Sequence, residues 1–154
     1  AERAQFIDYL QPAYYQCWPA FYGQPVNVAR IHQYRDLQGV KVGYVLNSAY
    51  FEPFNSDSRL DKHGVPTEDQ LLRMVQRGHL PLMIGTDCQV DYALSQGNAS
   101  RIGKADYRPA TPVTLYLGMS KHSPHQSLRQ PLLVALQNLV ASGEISVMAK
   151  RYQP

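Results

Sequence analysis

The sequence predicts an α/β domain, and three stretches carry that prediction. Val40–Leu46 places five apolar or aromatic residues among seven, mostly of the β-branched kind that suits a buried strand. Thr67-Glu68-Asp69-Gln70 has the form of a capping box, with Leu71, Leu72 and Val75 following on one helical face and Gly78 at the stop position. Leu80–Ile84 is an apolar run of strand length, ending in the polar tip Gly85-Thr86-Asp87-Cys88. Strands separated by helices in this way imply parallel pairing in a layered α/β arrangement.

Taken in order, Phe6–Leu10 predicts a strand and Pro12–Tyr15 a turn out of it. Gln16–Tyr22 predicts a second extended piece, which Pro19 would confine to a sheet edge or a crossing segment. Gly23-Gln24-Pro25 marks a boundary. Asp36-Leu37-Gln38-Gly39 turns the chain into the Val40–Leu46 strand, and a short helix is expected to start at Ser48 and to end before Pro53. A strand-to-helix turn at Asn47-Ser48-Ala49 would expose backbone N–H groups at the positive end of a helix dipole, which favours a carboxylate or phosphate. His63–Pro66 reads as a loop with room for a brief strand, and Val90–Leu94 as a helix. Gln96–Pro112 is loop-like, broken by Gly97, Gly103, Pro109 and Pro112. Val113–Met119 predicts a strand, and Ser123-Pro124 a capped helix start. Leu132, Leu133, Leu136, Leu139 and Val140 line a helix ending at Gly143, with Pro131 breaking or kinking its beginning. Ile145, Met148 and Tyr152 predict one last amphipathic helix.

Composition bounds the function without choosing it. A chain of 154 residues holds one good core or two small lobes, and 44% hydrophobic with 18% charged residues is ordinary for a globular protein. The formal charge of +3 is spread along the chain, with no block of Lys or Arg of the kind that binds nucleic acid or membrane surfaces. Aromatic side chains crowd into Phe6–Tyr22, which predicts a packed wall. That segment contains neither Lys nor Arg, so base-stacking recognition of nucleic acid is excluded. Cys17 and Cys88 permit one disulfide or two free thiols, and the sequence leaves both open. No apolar stretch has the length of a membrane span, and Ala1-Glu2-Arg3 opens without a leader pattern, so any signal peptide is expected to lie outside this chain.

Catalytic and metal signatures are equally thin. There is no Gly-x-Ser-x-Gly elbow, Walker loop or Gly-x-Gly-x-x-Gly fingerprint. His122 and His125 are two ligands without a third, and Pro124 between them keeps them off one helical face. Asp87 and Asp91 suit the start of a helix, where the dipole favours acidic groups. No catalytic residue, metal site or cofactor is expected.

Four stretches, in order along the chain, together resemble the amino-acid-binding family of periplasmic solute-binding proteins, the two-lobed receptors of ABC importers. They are Glu2-Arg3 with Phe6–Tyr9 and Pro12–Tyr15, then Asp36–Gly43, then Arg77–His79 into Leu82–Gly85 with Tyr92 beyond, and finally Ser142–Ile145 with Lys150–Tyr152. The resemblance implies a periplasmic-binding-protein-like α/β fold with one complete lobe plus the later part of a second. Residues 26–112 would form lobe two. Residues 1–25 and 113–154 would form the later part of lobe one, whose first strands and helices have no counterpart here. The crossing segments near Cys17–Gln24 and Pro109–Leu115 would act as the hinge of a closing cleft.

Carried over by motif, the carboxylate-gripping arginine of the family falls on Arg3, a role that suits a bidentate guanidinium. The second-lobe turn holding the same carboxylate falls on Asn47, Ser48 and Ala49. The acidic residue that pairs with a ligand amino group falls on Thr86 by its distance to Tyr92, with Asp87 one place later. The implied function is binding of a small, carboxylate-bearing polar solute such as an amino acid, in the periplasm, for delivery to the membrane subunits of an ABC importer. An incomplete lobe one would also expose strand edges open to self-association. Two alternatives share the scaffold: the sensor module of a signalling receptor, and a cyclohexadienyl-dehydratase-like enzyme, for which Asp87 is the one candidate acid–base group.

Overall fold

The structure, a computed structural model, describes residues 2–97 and 101–151. Its regular elements run in the order β1 (Ile7–Cys17), β2 (Pro19–Gly23), α1 (Pro25–Val28), β3 (Val42–Val45), β4 (Lys62–Val65), α2 (Glu68–Gln76), β5 (Leu82–Thr86), α3 (Asp87–Gln96), β6 (Gly103–Lys104), β7 (Val113–Ser120), α4 (Arg129–Ala141) and α5 (Glu144–Lys150). The chain divides into two compact units, one made of residues up to 16 and from 114 onward, the other of residues 17–113. Residues 17–25, grouped by the sequence with the segment before them, pack in the unit of the segment after them. Tyr152, expected on the last helix, lies outside the described residues.

The larger unit is a five-stranded sheet in the order β4-β3-β5-β2-β6. As the alternation of elements predicts, β3 pairs in parallel with both β4 and β5. The exception is β2, antiparallel to β5 from Pro19↔Thr86 to Gly23↔Leu82 and antiparallel to β6 on its other side. Of the two placements expected for this strand, the sheet edge is corrected: β2 lies between β5 and β6, and every residue of it is buried. Pro19 is tolerated because it is the first residue of the strand.

Side chains alternate across this sheet, so the central strands β2, β3 and β5 feed two cores. On one face Phe21, Val42, Leu82 and Ile84 pack with Val28, Ile31, Leu37, Phe51, Phe54 and Leu60. On the other, Ala20, Tyr22 and Met83 meet Leu71 and Val75 of α2, and Val90 of α3. At Gly43 there is no room for a side chain: a Cβ there would lie 2.4 Å from Leu71 Cδ1 of α2 and 2.7 Å from Leu80 Cδ1. Thr67 caps α2 as the sequence predicts, its hydroxyl accepting the Gln70 N–H at 3.2 Å.

The short helix expected from Ser48 does not form. Asn47 adopts a left-handed conformation at φ 63°, and the chain continues as turns to residue 60. Local side chains take over the backbone here. The Tyr50 hydroxyl accepts the Val45 N–H at 3.2 Å, and Asn55 Oδ1 accepts the Tyr50 N–H at 2.9 Å. Pro53 brings no N–H of its own. In place of a helix, Phe51 and Phe54 are driven into the core, where they stack on each other and meet Phe21 edge-on at ring distances near 6 Å. The buried Asp57 holds the far end of this loop: it accepts hydrogen bonds from the Arg59 N–H and guanidinium and from the Tyr34 hydroxyl. Those donors hold its carboxyl well below the usual carboxylate range, and burial with the carboxylate pushes Tyr34 up to about 12.

The smaller unit pairs β1 with β7 and carries α4 and α5. The turn expected at Pro12–Tyr15 is absent, because β1 runs on through it to Cys17. The helix start expected at Ser123-Pro124 falls instead at Arg129, after turns and a single 3₁₀ turn at Gln126–Leu128. Pro131 then occupies the first turn of α4, where no intrahelical N–H is required. Tyr9 and Tyr116 meet edge-on at 6.1 Å, and Arg129 Nε donates to Asp8 Oδ2 at 2.5 Å. Among the described residues of this unit only Leu10 and Leu136 are buried. No single described helix is long and apolar enough to cross a membrane.

Candidate functional site

The carboxyl ends of β3, β4 and β5 meet along one edge of the larger sheet, since the three strands are parallel neighbours. In open α/β sheets this edge is where ligands bind. Asn47-Ser48-Ala49 leave β3 there, Thr67 and Glu68 follow β4, and Thr86 and Asp87 end β5 and open α3. Because β2 is antiparallel, its beginning, Trp18-Pro19, comes to the same edge beside Thr86.

Of the residues singled out from the sequence, five are thus brought together on one edge: Asn47, Ser48, Ala49, Thr86 and Asp87. Arg3 is not among them. It lies in the smaller unit, exposed on a 3₁₀ turn at Glu2–Gln5. Asn47, Ser48 and Ala49 are all exposed, yet the reason given for an anion there is only half met. The turn exists, but without a helix behind it there is no dipole to attract charge, and the Ser48 N–H is spent on the Val45 carbonyl at 3.2 Å.

Thr86 and Asp87 are better placed. Thr86 is half-buried, with its hydroxyl 3.0 Å from Gln89 Oε1. Asp87 exchanges two hydrogen bonds with the start of β2: the Trp18 N–H donates to Asp87 Oδ1 at 2.8 Å, and the Asp87 N–H donates to the Trp18 carbonyl at 2.9 Å. The same Oδ1 accepts the Cys88 N–H at 2.8 Å. Alongside, Cys17 and Cys88 form a disulfide with an S–S distance of 2.04 Å, which decides the question the sequence left open. Cys17, Asp87 and Cys88 place their donor atoms within 4.8 Å of one another. With the two sulfurs bonded to each other, Asp87 alone of the three offers a donor of the kind that holds a metal.

Two further groups shape this region that the sequence places only at helix starts, without a part in the site. Glu68 is half-buried at the first position of α2, and burial raises its carboxyl. Behind the edge, Asp91 accepts from the buried Tyr22 hydroxyl at 2.7 Å and from Lys104 Nζ at 2.5 Å. Burial first, then Asp91, pushes the Tyr22 phenol well above its ordinary range. The i, i+4 placement of Asp87 and Asp91 was the available signal, but their partners lie 69 and 13 residues away, outside any local pattern.

The edge therefore offers acceptors and aromatic surface. Glu68, Asp87, Thr86, Asn47 and the exposed Trp18 lie on the segments that meet there, and the segments 46–50, 66–68 and 86–88 contain no Lys or Arg. Such a surface suits the amino, guanidinium or hydroxyl part of a polar solute. A carboxylate needs a cation from elsewhere in the chain.

No protein-family model and no curated protein matches the sequence. Solved structures match its fold. The amino acid ABC transporter substrate-binding protein AbpA of Streptococcus pneumoniae, bound to L-arginine, superposes with a TM-score of 0.82 at 19% identity, covering 98% of this chain and 62% of that one. The GluR0 ligand-binding core in complex with L-glutamate gives 0.82 at 16% identity, with 99% and 67% covered. The periplasmic VFT2 domain of BvgS from Bordetella pertussis gives 0.78 at 15% identity, with 99% and 63% covered. The fold is thus the periplasmic-binding-protein-like α/β fold of amino-acid substrate-binding proteins, and this chain spans about two thirds of their length.

Proposed function

We propose that the chain is the solute-binding part of an extracytoplasmic receptor for a small polar solute bearing a carboxylate, such as an amino acid, serving ABC-type uptake. The observation that carries this reading is the convergence of Asn47–Ala49 with Thr86 and Asp87 on the carboxyl edge of a parallel sheet, in a fold similar to proteins solved with L-arginine and L-glutamate. In this reading Arg3 takes the carboxylate, while Thr86 and Asp87 take the amino or other hydrogen-bonding part of the solute. The disulfide fits an oxidising compartment outside the cytoplasm. The solute and the membrane subunits of an importer are the partners, and the exposed apolar side chains of the smaller unit, Phe6 and Val147 among them, offer a surface for self-association.

Isothermal titration with a panel of amino acids and organic acids, L-arginine and L-glutamate included, tests the reading. One panel member is expected to bind, and Arg3→Ala and Thr86→Ala are each expected to weaken it at least roughly tenfold, the size of one charge-assisted contact. Failure of the whole panel overturns the solute class, and an unchanged affinity in Arg3→Ala overturns the role of Arg3.

The likeness to the BvgS domain favours a second reading, a ligand-sensing module of a signalling receptor. A transmembrane segment and a signalling domain encoded in the same gene would select it. The dehydratase alternative depends on Asp87, whose Oδ1 is already engaged by two backbone N–H groups. A binding role without catalysis fits that engagement better, and turnover assays on prephenate-like acids check it.

A further inference from the structure

We propose that Cys17–Cys88 is a redox-sensitive clamp on the strand–helix tip of the larger unit, opened by a dithiol reductant. The disulfide sits where it can act locally. Cys17 is the last residue of β1 and buried, whereas Cys88 is the second residue of α3 and half-buried. It joins segments 71 residues apart in sequence, immediately beside the paired hydrogen bonds between Trp18 and Asp87. Those bonds precede the Pro19↔Thr86 start of the β2–β5 ladder, while Ala20–Gly23 are buried in the middle of the sheet. Opening the disulfide therefore leaves the ladder and both cores in place and frees only Trp18 and the residues of α3 ahead of the core residue Val90, an end of structure that opens locally rather than globally.

The chemistry is ordinary thiol–disulfide exchange. A thiolate of the reductant attacks Cys88 Sγ, the more accessible sulfur, and the S–S bond breaks with Cys17 Sγ leaving as a thiolate that takes up a proton. The second thiol of the reductant then attacks the mixed disulfide, releasing Cys88 and leaving the reductant as its own disulfide. Two electrons pass to the protein pair and none are left over. Where Thr86 and Asp87 hold a solute, the opened tip weakens that hold. This last consequence rests on the solute-binding reading, but the clamp does not.

The test needs no solute. Trp18 is the chain's one tryptophan and is 39% exposed, so its emission reports the tip alone. Under native conditions with dithiothreitol, mass spectrometry after alkylation is expected to show two modified thiols. Trp18 emission is expected to shift to the red. The amides of Trp18, Asp87 and Cys88 are expected to exchange roughly tenfold faster, with those of Phe21 and Tyr22 unchanged. Cys88→Ala, at the half-buried position, is expected to show the same emission and exchange without reductant. A disulfide that opens only when the whole larger unit unfolds overturns the proposal. So does a reduced or Cys88→Ala protein that keeps the emission and exchange of the oxidised chain. Because these signals are read without solute, failure of the clamp and failure of the solute panel are separate results.

Discussion

The two units of this chain solve the burial problem to very different degrees. In the larger, the central strands β2, β3 and β5 present alternate side chains to two cores, and every residue from Pro19 to Gly23 is buried. In the smaller, two strands and two helices bury only Leu10 and Leu136 among the described residues, while Phe6, Tyr14, Leu132, Val134 and Val147 stay open to solvent. The difference is one of partners rather than composition. α4 is as apolar as any core helix, yet only Leu136 of its length is buried. A sheet of two strands cannot cover such a helix, whereas one of five can carry helices on one face and an aromatic loop on the other.

The comparison breaks most visibly at Phe21. Its ring meets Phe51, Phe54 and Tyr107 within 6.3 Å, so Phe21→Ala is expected to cost about 3–5 kcal/mol in urea unfolding of the larger unit. A loss below about 1 kcal/mol would mean that the aromatic loop does not seal this core. Next in size is Asp91→Ala, which strands the buried Tyr22 hydroxyl and leaves Lys104 without its carboxylate. It is expected to cost about 1–3 kcal/mol by the same measurement.

Asp57 sharpens the comparison through pH. Its native carboxyl titrates below the usual carboxylate value of about 3.9, so the unfolded chain takes up the proton first. The stability it contributes is therefore present above about pH 4 and is lost as pH falls through that value towards the native one. The urea midpoint of the larger unit is expected to fall between about pH 5 and pH 3, and to fall less in Asp57→Asn. An identical fall in both would assign acid sensitivity elsewhere. The smallest effect belongs to the open unit: Val134→Ser at an exposed position of α4 is expected to change stability by no more than about 0.5 kcal/mol. A larger cost would show that this surface is covered in solution.

Legibility in the sequence divides along the same line, between local and distant causes. The helix after Thr67, the parallel strands β3 and β5 and the strand β7 were readable because cap, periodicity and apolar run all lie within a few neighbouring residues. The loop from Asn47 to Leu60 was not. Phe51 and Phe54 form the aromatic plug only because Phe21, thirty residues earlier, supplies the opposing face. The central position of β2 was missed for a related reason: Pro19 argues for an edge, and its place at the first residue of the strand becomes evident only once β5 is laid beside it. At the site, Thr86 and Asp87 were found from a strand tip and a motif. Trp18, whose backbone holds Asp87, carries no local mark of that role.

The antiparallel strand β2 also sets a timetable for synthesis. It leaves the ribosome well before β5, the neighbour against which it must be zipped, and before β6 on its other side. Until then a wholly apolar central strand is without a sheet, exposed to chaperones and to other nascent chains. Cys17 likewise waits through 71 further residues before Cys88 exists to meet it. Within this unit β2 therefore joins the sheet only once β5 exists, although it precedes β3, β4 and β5 in the chain, and β6 can add to its other side only later still.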